Sequence, residues 1–215
     1  MIIKRGLSFL CITLFIFIAC APKQSLFLSE EVNKNSSTSS FSVIPFNQNW
    51  TPDATLKTMY SQEIDMFFQA LPPSFSTNTP NKVNILKPEL ELNQSDFKEE
   101  TLSRDNLKLN INFPSDTLLK ASDDRYVYFL EGYKFQLIKK AGDRVSFAYQ
   151  QSESKLALQF ETEYYLYDKS KAEIIAWGKV SDESEVFGRP GFIDYLNVLT
   201  KVSKQMIEES PFLIN

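Results

Sequence analysis

The chain has 215 residues, of which 43% are hydrophobic and 23% charged, and its net charge is −4. This composition excludes a wholly disordered, a collagen-like or a multi-span membrane protein. Histidine is absent, which excludes Ser-His-Asp and Cys-His catalysis and imidazole metal sites. Both cysteines, Cys11 and Cys20, lie in the first 20 residues. The rest of the chain therefore holds neither a disulfide nor a thiolate zinc site.

The amino terminus predicts a secretory signal peptide. Lys4 and Arg5 precede an apolar run of 14 residues, Gly6–Ala19. A basic start, a short apolar segment and a small residue at its end are typical of such a peptide. Because a membrane-spanning helix needs roughly 20 apolar residues, the run favours a cleaved leader over a transmembrane anchor.

The end of this run, Phe17-Ile18-Ala19-Cys20, resembles the lipobox of bacterial lipoproteins. The resemblance implies that residues 1–19 are removed by signal peptidase II and that Cys20 carries lipid, palmitate included. Acyl chains on one cysteine contribute about 0.8 kcal/mol per buried methylene, enough to hold the protein on a membrane. Ala21 implies sorting to the outer membrane, because inner-membrane lipoproteins of enteric bacteria carry Asp there. The alternative is an ordinary signal-peptidase cleavage near Cys20.

Residues 20–40 are predicted to form a flexible tether. The stretch 29–40 is rich in Ser and Asn and shows no apolar periodicity. A coil of 20 such residues has a root-mean-square span of about 25 Å, which would lift a domain clear of the lipid headgroups.

The charge of the mature chain disfavours nucleic-acid binding. Cleavage after Ala19 removes Lys4 and Arg5 from the 23 basic residues and none of the 27 acidic ones, so the net charge becomes −6. The remaining basic residues form no stripe along the sequence, and neutralising phosphates requires one.

The remaining 175 residues, 41–215, have the size of one domain with a substantial core. Residues 41–46 predict a short strand ending near Pro45. A helix should follow, with Thr51 as its cap and Pro52 in its first position. Its apolar residues recur at steps of three and four until Pro72-Pro73, where we expect the helix to end.

The middle of the domain gives a weaker pattern. An extended stretch is predicted over 83–92. Residues 93–112 leave two alternatives open, a helix over 95–107 or a strand at the alternating apolar residues 107–113. A short helix is expected over 115–121, after Pro114-Ser115.

The carboxy-terminal half predicts antiparallel strands closed by a helix. Residues 127–137 should form a strand buried on both faces at its start and on one face later. Strands at 145–149 and 156–166 come next, then a hairpin loop over 168–173 and a final strand. An amphipathic helix is expected over 192–207.

The hairpin suggests a register. If Asp168 pairs with Glu173, then Leu166 faces Ile175 and Tyr164 faces Trp177, with both pairs on the apolar face. The predicted fold is therefore α+β, with a mixed or antiparallel sheet of five to six strands and two main helices on one face.

The hairpin sequence carries a resemblance to a protein group. Residues 167–177, YDKSKAEIIAW, resemble the "Asp, two residues, Gly-Glu, aliphatic pair, Trp" hairpin of envelope lipoproteins that include the curli-secretion lipoprotein and proteins similar to the amino-terminal domain of TolB. Val43-Ile44-Pro45-Phe46 and the helix at 192–207 occupy matching places, whereas Ala172 replaces the usual Gly and 88–115 matches nothing. The resemblance implies an assembly or scaffold role and no catalytic residues.

Acidic clusters are the candidates for chemistry. They are Asp123 with Asp124, Glu161 with Glu163, and Asp182, Glu183 and Glu185. Paired carboxylates can serve as acid and base when burial separates their pKa values. However, Glu161 and Glu163 share the polar face of their strand, where solvated charge is expected. No calcium-loop spacing and no glycine-patterned phosphate loop occur, so no metal and no cofactor are predicted.

Glu131 is unusual because it sits in the strand alternation among the apolar residues Val127, Phe129, Tyr133 and Phe135. A buried carboxylate would mark a site candidate. The interpretation we favour is a bulge at Gly132 that turns Glu131 outward.

Tyr165 and Tyr167 share the face of Glu161 and Glu163, opposite the predicted core. Aromatic rings beside carboxylates can stack on sugars, so these four residues form a candidate glycan-binding face. The alternative is that a helix covers this face and the tyrosines are half-buried sheet residues.

The sequence thus predicts a non-catalytic, membrane-anchored envelope lipoprotein with a periplasmic domain that binds or scaffolds other envelope proteins. Two alternatives stay open, a peptidoglycan-binding module and a carboxylate-dependent hydrolase.

Overall fold

The computed structural model describes residues 25–46, 57–87, 97–140 and 155–215. In chain order these ranges contain β1 Ser25–Leu28, β2 Phe41–Phe46, α1 Lys57–Asn78, β3 Val83–Ile85, β4 Phe97–Arg104, β5 Leu107–Pro114, α2 Asp116–Lys120, β6 Tyr126–Lys140, β7 Lys155–Asp168, β8 Glu173–Val186 and α3 Phe192–Glu208. The sequence predictions at Thr51, Pro52, Leu90, Leu92 and 145–149 lie outside the described residues.

Six strands form one sheet in the order β1-β8-β7-β6-β2-β3. Strand β2 runs parallel to β3 and β6, and the other neighbours are antiparallel. Strands β4 and β5 form a separate antiparallel hairpin. The predicted combination of helices with a mixed sheet of five to six strands is confirmed, and a third helix, α2, lies where a short one was expected.

One core joins the sheet to helices α1 and α3. Phe67 of α1 stacks on Tyr133 of β6 with ring centroids 4.6 Å apart, and Phe41 of β2 stacks on Phe212 at 4.2 Å. The helices also bond to each other, because the Asn78 side chain donates to the Thr200 carbonyl at 2.8 Å. Burying aromatic side chains of this size is the largest stabilising contribution such a domain has.

A second core lies under the β4–β5 hairpin. Side chains of β2, β6, β7 and β8 meet those of β5 there: Ile44, Phe46, Val127, Phe129, Tyr165, Trp177, Leu109 and Ile111. Phe97 of β4 stacks on Phe46 at 5.0 Å. The strand alternative for 107–113 is therefore confirmed, and the helix alternative over 95–107 is wrong since Phe97–Arg104 pairs as a strand with β5.

Helix α1 does not end at Pro72-Pro73 but continues to Asn78. Each proline removes one backbone hydrogen bond, which makes a helix end the usual outcome. Here Phe75 is 1% exposed in the first core, and the Ser203 hydroxyl of α3 donates to the Ser74 carbonyl at 2.9 Å. Tertiary packing holds the last turn, and no local pattern in the sequence reveals this.

The β7–β8 hairpin has the predicted closing pair, Asp168 opposite Glu173. The predicted register beyond it is wrong, because the pairing shifts after Tyr167 and Ile174, and Trp177 then faces Tyr165. One extra residue in β8 forms a bulge. The bulge places Trp177 beside Tyr165 in the second core rather than beside Tyr164 in the first.

The structure also departs from the tether prediction over residues 25–40. Strand β1 pairs with β8, and Phe27 contacts the Trp177 ring at 5.4 Å. Further along, the backbone N–H of Ser37 donates to the Pro211 carbonyl at 2.7 Å. The Asn81 side chain donates to the carbonyl of Ser37 at 2.9 Å. Polar residues here are ordered by backbone bonds that composition does not reveal. Residues 20–24 lie outside the described residues.

The first core contains two buried tyrosine hydroxyls that differ in their hydrogen bonding. In the described part of the chain, the Tyr164 hydroxyl is buried and has no hydrogen-bond partner, whereas the Tyr128 hydroxyl donates to the Met206 carbonyl at 3.1 Å. Tyr164→Phe should raise the free energy of unfolding by about 1 kcal/mol, because it removes an unsatisfied buried group. Tyr128→Phe should lower it by a similar amount. Urea unfolding of both variants tests this, and a loss of stability in Tyr164→Phe would contradict it.

Candidate functional site

Tyr165, one of the residues predicted to bind glycans, is fully buried beneath the hairpin. Its ring stacks on Phe129 at 4.9 Å, and its hydroxyl donates to the Asn112 carbonyl at 3.0 Å. Burial raises the pKa of this hydroxyl well above its ordinary value. A β-hairpin rather than a helix covers this face, so the Tyr165 ring offers no surface to a sugar.

Tyr167 lies at the edge of the same covered face. It is half-buried, and Phe113 of β5 meets its ring edge-on at 5.2 Å. Burial, with a smaller contribution from the charge of Asp116, raises the pKa of its hydroxyl. Since the hairpin buries Tyr165 fully and Tyr167 in part, the two rings do not form an exposed flat surface on which a sugar could stack.

Glu131 is buried, not turned outward. The predicted bulge is present: Gly132 has φ +60°, and the β6–β7 register shifts between Glu131 and Lys134. Yet Glu131 is 8% exposed, and its carboxylate accepts the backbone N–H of Asn112 at 3.0 Å and the side-chain amide of the same residue. The outward prediction is wrong because β5, whose position was not predicted, supplies donors for this carboxylate.

The two other predicted carboxylates lie beside Glu131. Glu163 stands directly opposite it on β7, and burial raises the Glu163 pKa, with Lys179 opposing and Glu131 adding to the effect. Glu161 accepts from Lys134 at 2.9 Å and Lys179 at 3.1 Å. Although burial works against it, these bonds lower the Glu161 pKa. We call Glu131, Glu161 and Glu163 the carboxylate cluster.

The structure does bring the predicted Glu161 and Glu163 together with Glu131, and two of the three carboxylates bond to neighbouring residues. Glu131 bonds the hairpin, and Glu161 bonds two lysines. Within the described ranges, no three Asp, Glu, Cys or His side chains are placed to hold a metal ion. The arrangement fastens β5 to the sheet through both oxygens of Glu131.

The acidic residues Asp123, Asp124, Asp182, Glu183 and Glu185 occupy separate places. Asp124 accepts the hydroxyls of Ser40 and Ser42 at 2.5 and 2.6 Å. Asp182 accepts the Gln205 side chain at 2.9 Å, and Lys155 contacts Glu185 at 3.3 Å. Asp124, Asp182 and Glu185 thus each make a local contact with a neighbouring element.

A different carboxylate, Asp168, closes the β7–β8 hairpin. Arg125 donates to it twice, at 2.9 and 2.6 Å, and Ser170 donates from both its backbone and its hydroxyl. Although burial opposes ionisation, these bonds lower the Asp168 pKa to about 2. The following Ala172 has φ +54°, in the left-handed region that favours glycine. The motif residues are thus structural.

The sequence did not single out the exposed apolar residues beyond β8. Phe187 is 95% exposed, Ile193 61% and Phe192 39%. The sequence signal that could have revealed them is Phe187, an apolar residue that follows the last strand and lies directly before Gly188 and near Pro190, where a turn is expected. In the described ranges, no helix is long and apolar enough to cross a membrane.

No protein-family model matches the chain, and no curated protein matches it either. Solved structures similar to it include the PelC dodecamer from Paraburkholderia phytofirmans, 10% identical over 88% of this chain and 99% of that one, with a TM-score of 0.36. A minor lipoprotein from Acinetobacter baumannii is 10% identical over 77% of this chain and 91% of that one, with a TM-score of 0.33. Likenesses this slight carry no argument about function.

The role assigned to Glu131 can be tested by substitution. Glu131→Ala leaves two donors of Asn112 without their acceptor, so the free energy of unfolding should fall by about 2 kcal/mol, less any relief of repulsion with Glu163. Backbone amide exchange across β5 should accelerate.

The matched control is Glu185→Ala, which removes a half-exposed ion pair with Lys155 and should cost at most about 0.5 kcal/mol. Equal losses in the two variants, or unchanged exchange in β5, would show that Glu131 does not hold the hairpin.

Proposed function

We propose that this chain is a lipid-anchored protein of the bacterial envelope, acylated at Cys20, that works without catalysis by binding other envelope proteins. The proposal rests on the position of Cys20 relative to β1. Only five Cα–Cα steps separate Cys20 from Ser25, where β1 begins its pairing with β8. Five steps span at most roughly 18 Å, so an acylated Cys20 would hold the domain against the membrane surface.

Ala21 supports the outer membrane, facing the periplasm, as the location. We also infer that α1 and α3 cover the same face of the sheet, since side chains of both enter the first core. With the hairpin on the opposite face, both faces of the described sheet are covered, which favours a strand edge as the place where a partner binds.

An open strand edge supports a binding role. Strand β2 pairs with β6 only over residues 126–131. Within the described ranges, the outer edge of residues 134–140 of β6 has no strand partner. Such an edge accepts a strand from another chain by backbone hydrogen bonding.

Hydrolysis and glycan binding have less support. A hydrolase would need a pair of carboxylates free to act as acid and base, whereas both Glu131 oxygens bond to Asn112 and one Glu161 oxygen contacts Lys134 and Lys179. Peptidoglycan binding through Tyr165 would need a ring that the hairpin does not cover.

Anchoring is tested by Cys20→Ala, with Cys11→Ala as the matched control inside the predicted leader. The unaltered chain and Cys11→Ala should incorporate labelled palmitate and partition into detergent. Cys20→Ala should do neither, because it removes the acylated thiol. A mature unaltered chain without lipid, found in the aqueous phase, would sink the proposal.

A further inference from the structure

The pairing of β1 fixes the direction in which the chain leaves the domain towards Cys20. Strand β1 is antiparallel to β8, with Ser25 opposite Lys179 and Leu28 opposite Ala176. Moving from Leu28 to Ser25 therefore leads towards Val186, the carboxyl end of β8. We call this end of the sheet, where β6 and β8 end and β7 begins, the open end.

Measured from the Ser25–Lys179 pair, the sheet extends further towards the open end than the segment from Ser25 to Cys20 can reach. Strand β8 continues for seven residues beyond Lys179, or roughly 23 Å at the rise of an antiparallel strand. The link from Ser25 to Cys20 spans at most roughly 18 Å in any conformation. When the strands stand upright on the membrane, the open end meets the lipid before the link is fully extended.

Apolar side chains are exposed at this end. Phe187 follows β8 directly and is 95% exposed, and Phe192 and Ile193 begin α3 with 39% and 61% exposure. A phenylalanine ring that is fully exposed to water is unfavourable. The same ring is stabilised at a lipid interface, where aromatic and aliphatic side chains enter the headgroup region.

We propose that Phe187, Phe192 and Ile193 enter the headgroup region of the same membrane that holds the lipid on Cys20. This second contact rests on the acylation proposed above and adds an orientation to it. The sheet then stands with its open end on the membrane and its opposite end, where β2 and β6 begin, away from it.

The contact is apolar rather than electrostatic. Of the lysines near the open end, Lys140 pairs with Glu183 and Lys155 with Glu185, so the exposed Lys139 and Arg189 add only two positive charges beside the three apolar side chains. Insertion should therefore depend little on salt or on the fraction of anionic lipid.

The experiment uses the full acylated chain reconstituted into vesicles of phosphatidylethanolamine and phosphatidylglycerol. Acylation blocks Cys20, so Phe187→Cys and Ile214→Cys each supply a single free thiol for a nitroxide label. Position 214 is the matched control: it is 44% exposed and lies at the opposite end, next to Phe212, which contacts Phe41 and Tyr126. Both positions are surface sites, so the substitutions should leave the fold intact.

For each label we compare its collision rate with oxygen, which dissolves in lipid, to its collision rate with a water-soluble nickel chelate. The ratio of oxygen to nickel collisions should be several-fold higher for the label at 187 than for the label at 214. The difference should persist in high salt. Equal behaviour at the two positions overturns the proposal while leaving acylation intact. A third outcome is a label at 187 that collides rarely with both reagents and shows spin–spin broadening, which disappears when unlabelled chain is added. That outcome means that a second copy of the chain covers position 187, and it also overturns the proposal.

The mass of the Cys20 peptide from the same sample separates this proposal from the anchoring on which it rests. A peptide with acyl mass together with a water-exposed label at 187 contradicts the membrane contact alone. A peptide without acyl mass contradicts both.

Discussion

The sheet of this protein depends on one constraint: its central strands carry large side chains on both faces. In β6 and β7, Tyr128 and Tyr164 point into the first core, whereas Phe129 and Tyr165 stack in the second. All four are at most 1% exposed. Since neither face tolerates water, each needs a cover. Side chains of α1 and α3 enter the first core, the β4–β5 hairpin covers the second, and the Glu131–Asn112 bonds fasten that hairpin to β6.

The elements that could be predicted are those whose signals are local. The alternation at 156–166 and the steps of three and four residues at 192–207 are enough for β7 and α3. The closing pair Asp168–Glu173 follows from turn chemistry. The elements that could not be predicted depend on distant partners. Helix α1 passes Pro72-Pro73 because α3 holds its last turn, and β1 forms because β8 offers an edge.

The candidate site shows the same division. Grouping Glu161 with Glu163 was correct from strand spacing, and the bulge at Gly132 was correct from its glycine. The burial of Tyr165 and Glu131 could not be predicted because the covering strand β5 comes from a segment with an ambiguous pattern. A single extra residue in β8 moved Trp177 to the other face, which shows how little local sequence determines a register.

Beyond its cores, the described part of the chain leaves residues 134–140 of β6 without a strand partner on one side, and its first strand begins five residues after Cys20. Both features suit a protein that meets its partners at a membrane. The most direct measurement is the mass of the intact assembly extracted from membranes in mild detergent. We expect a discrete complex several times the 24.8 kDa of one chain. An acylated monomer without bound protein would contradict a binding or scaffold role.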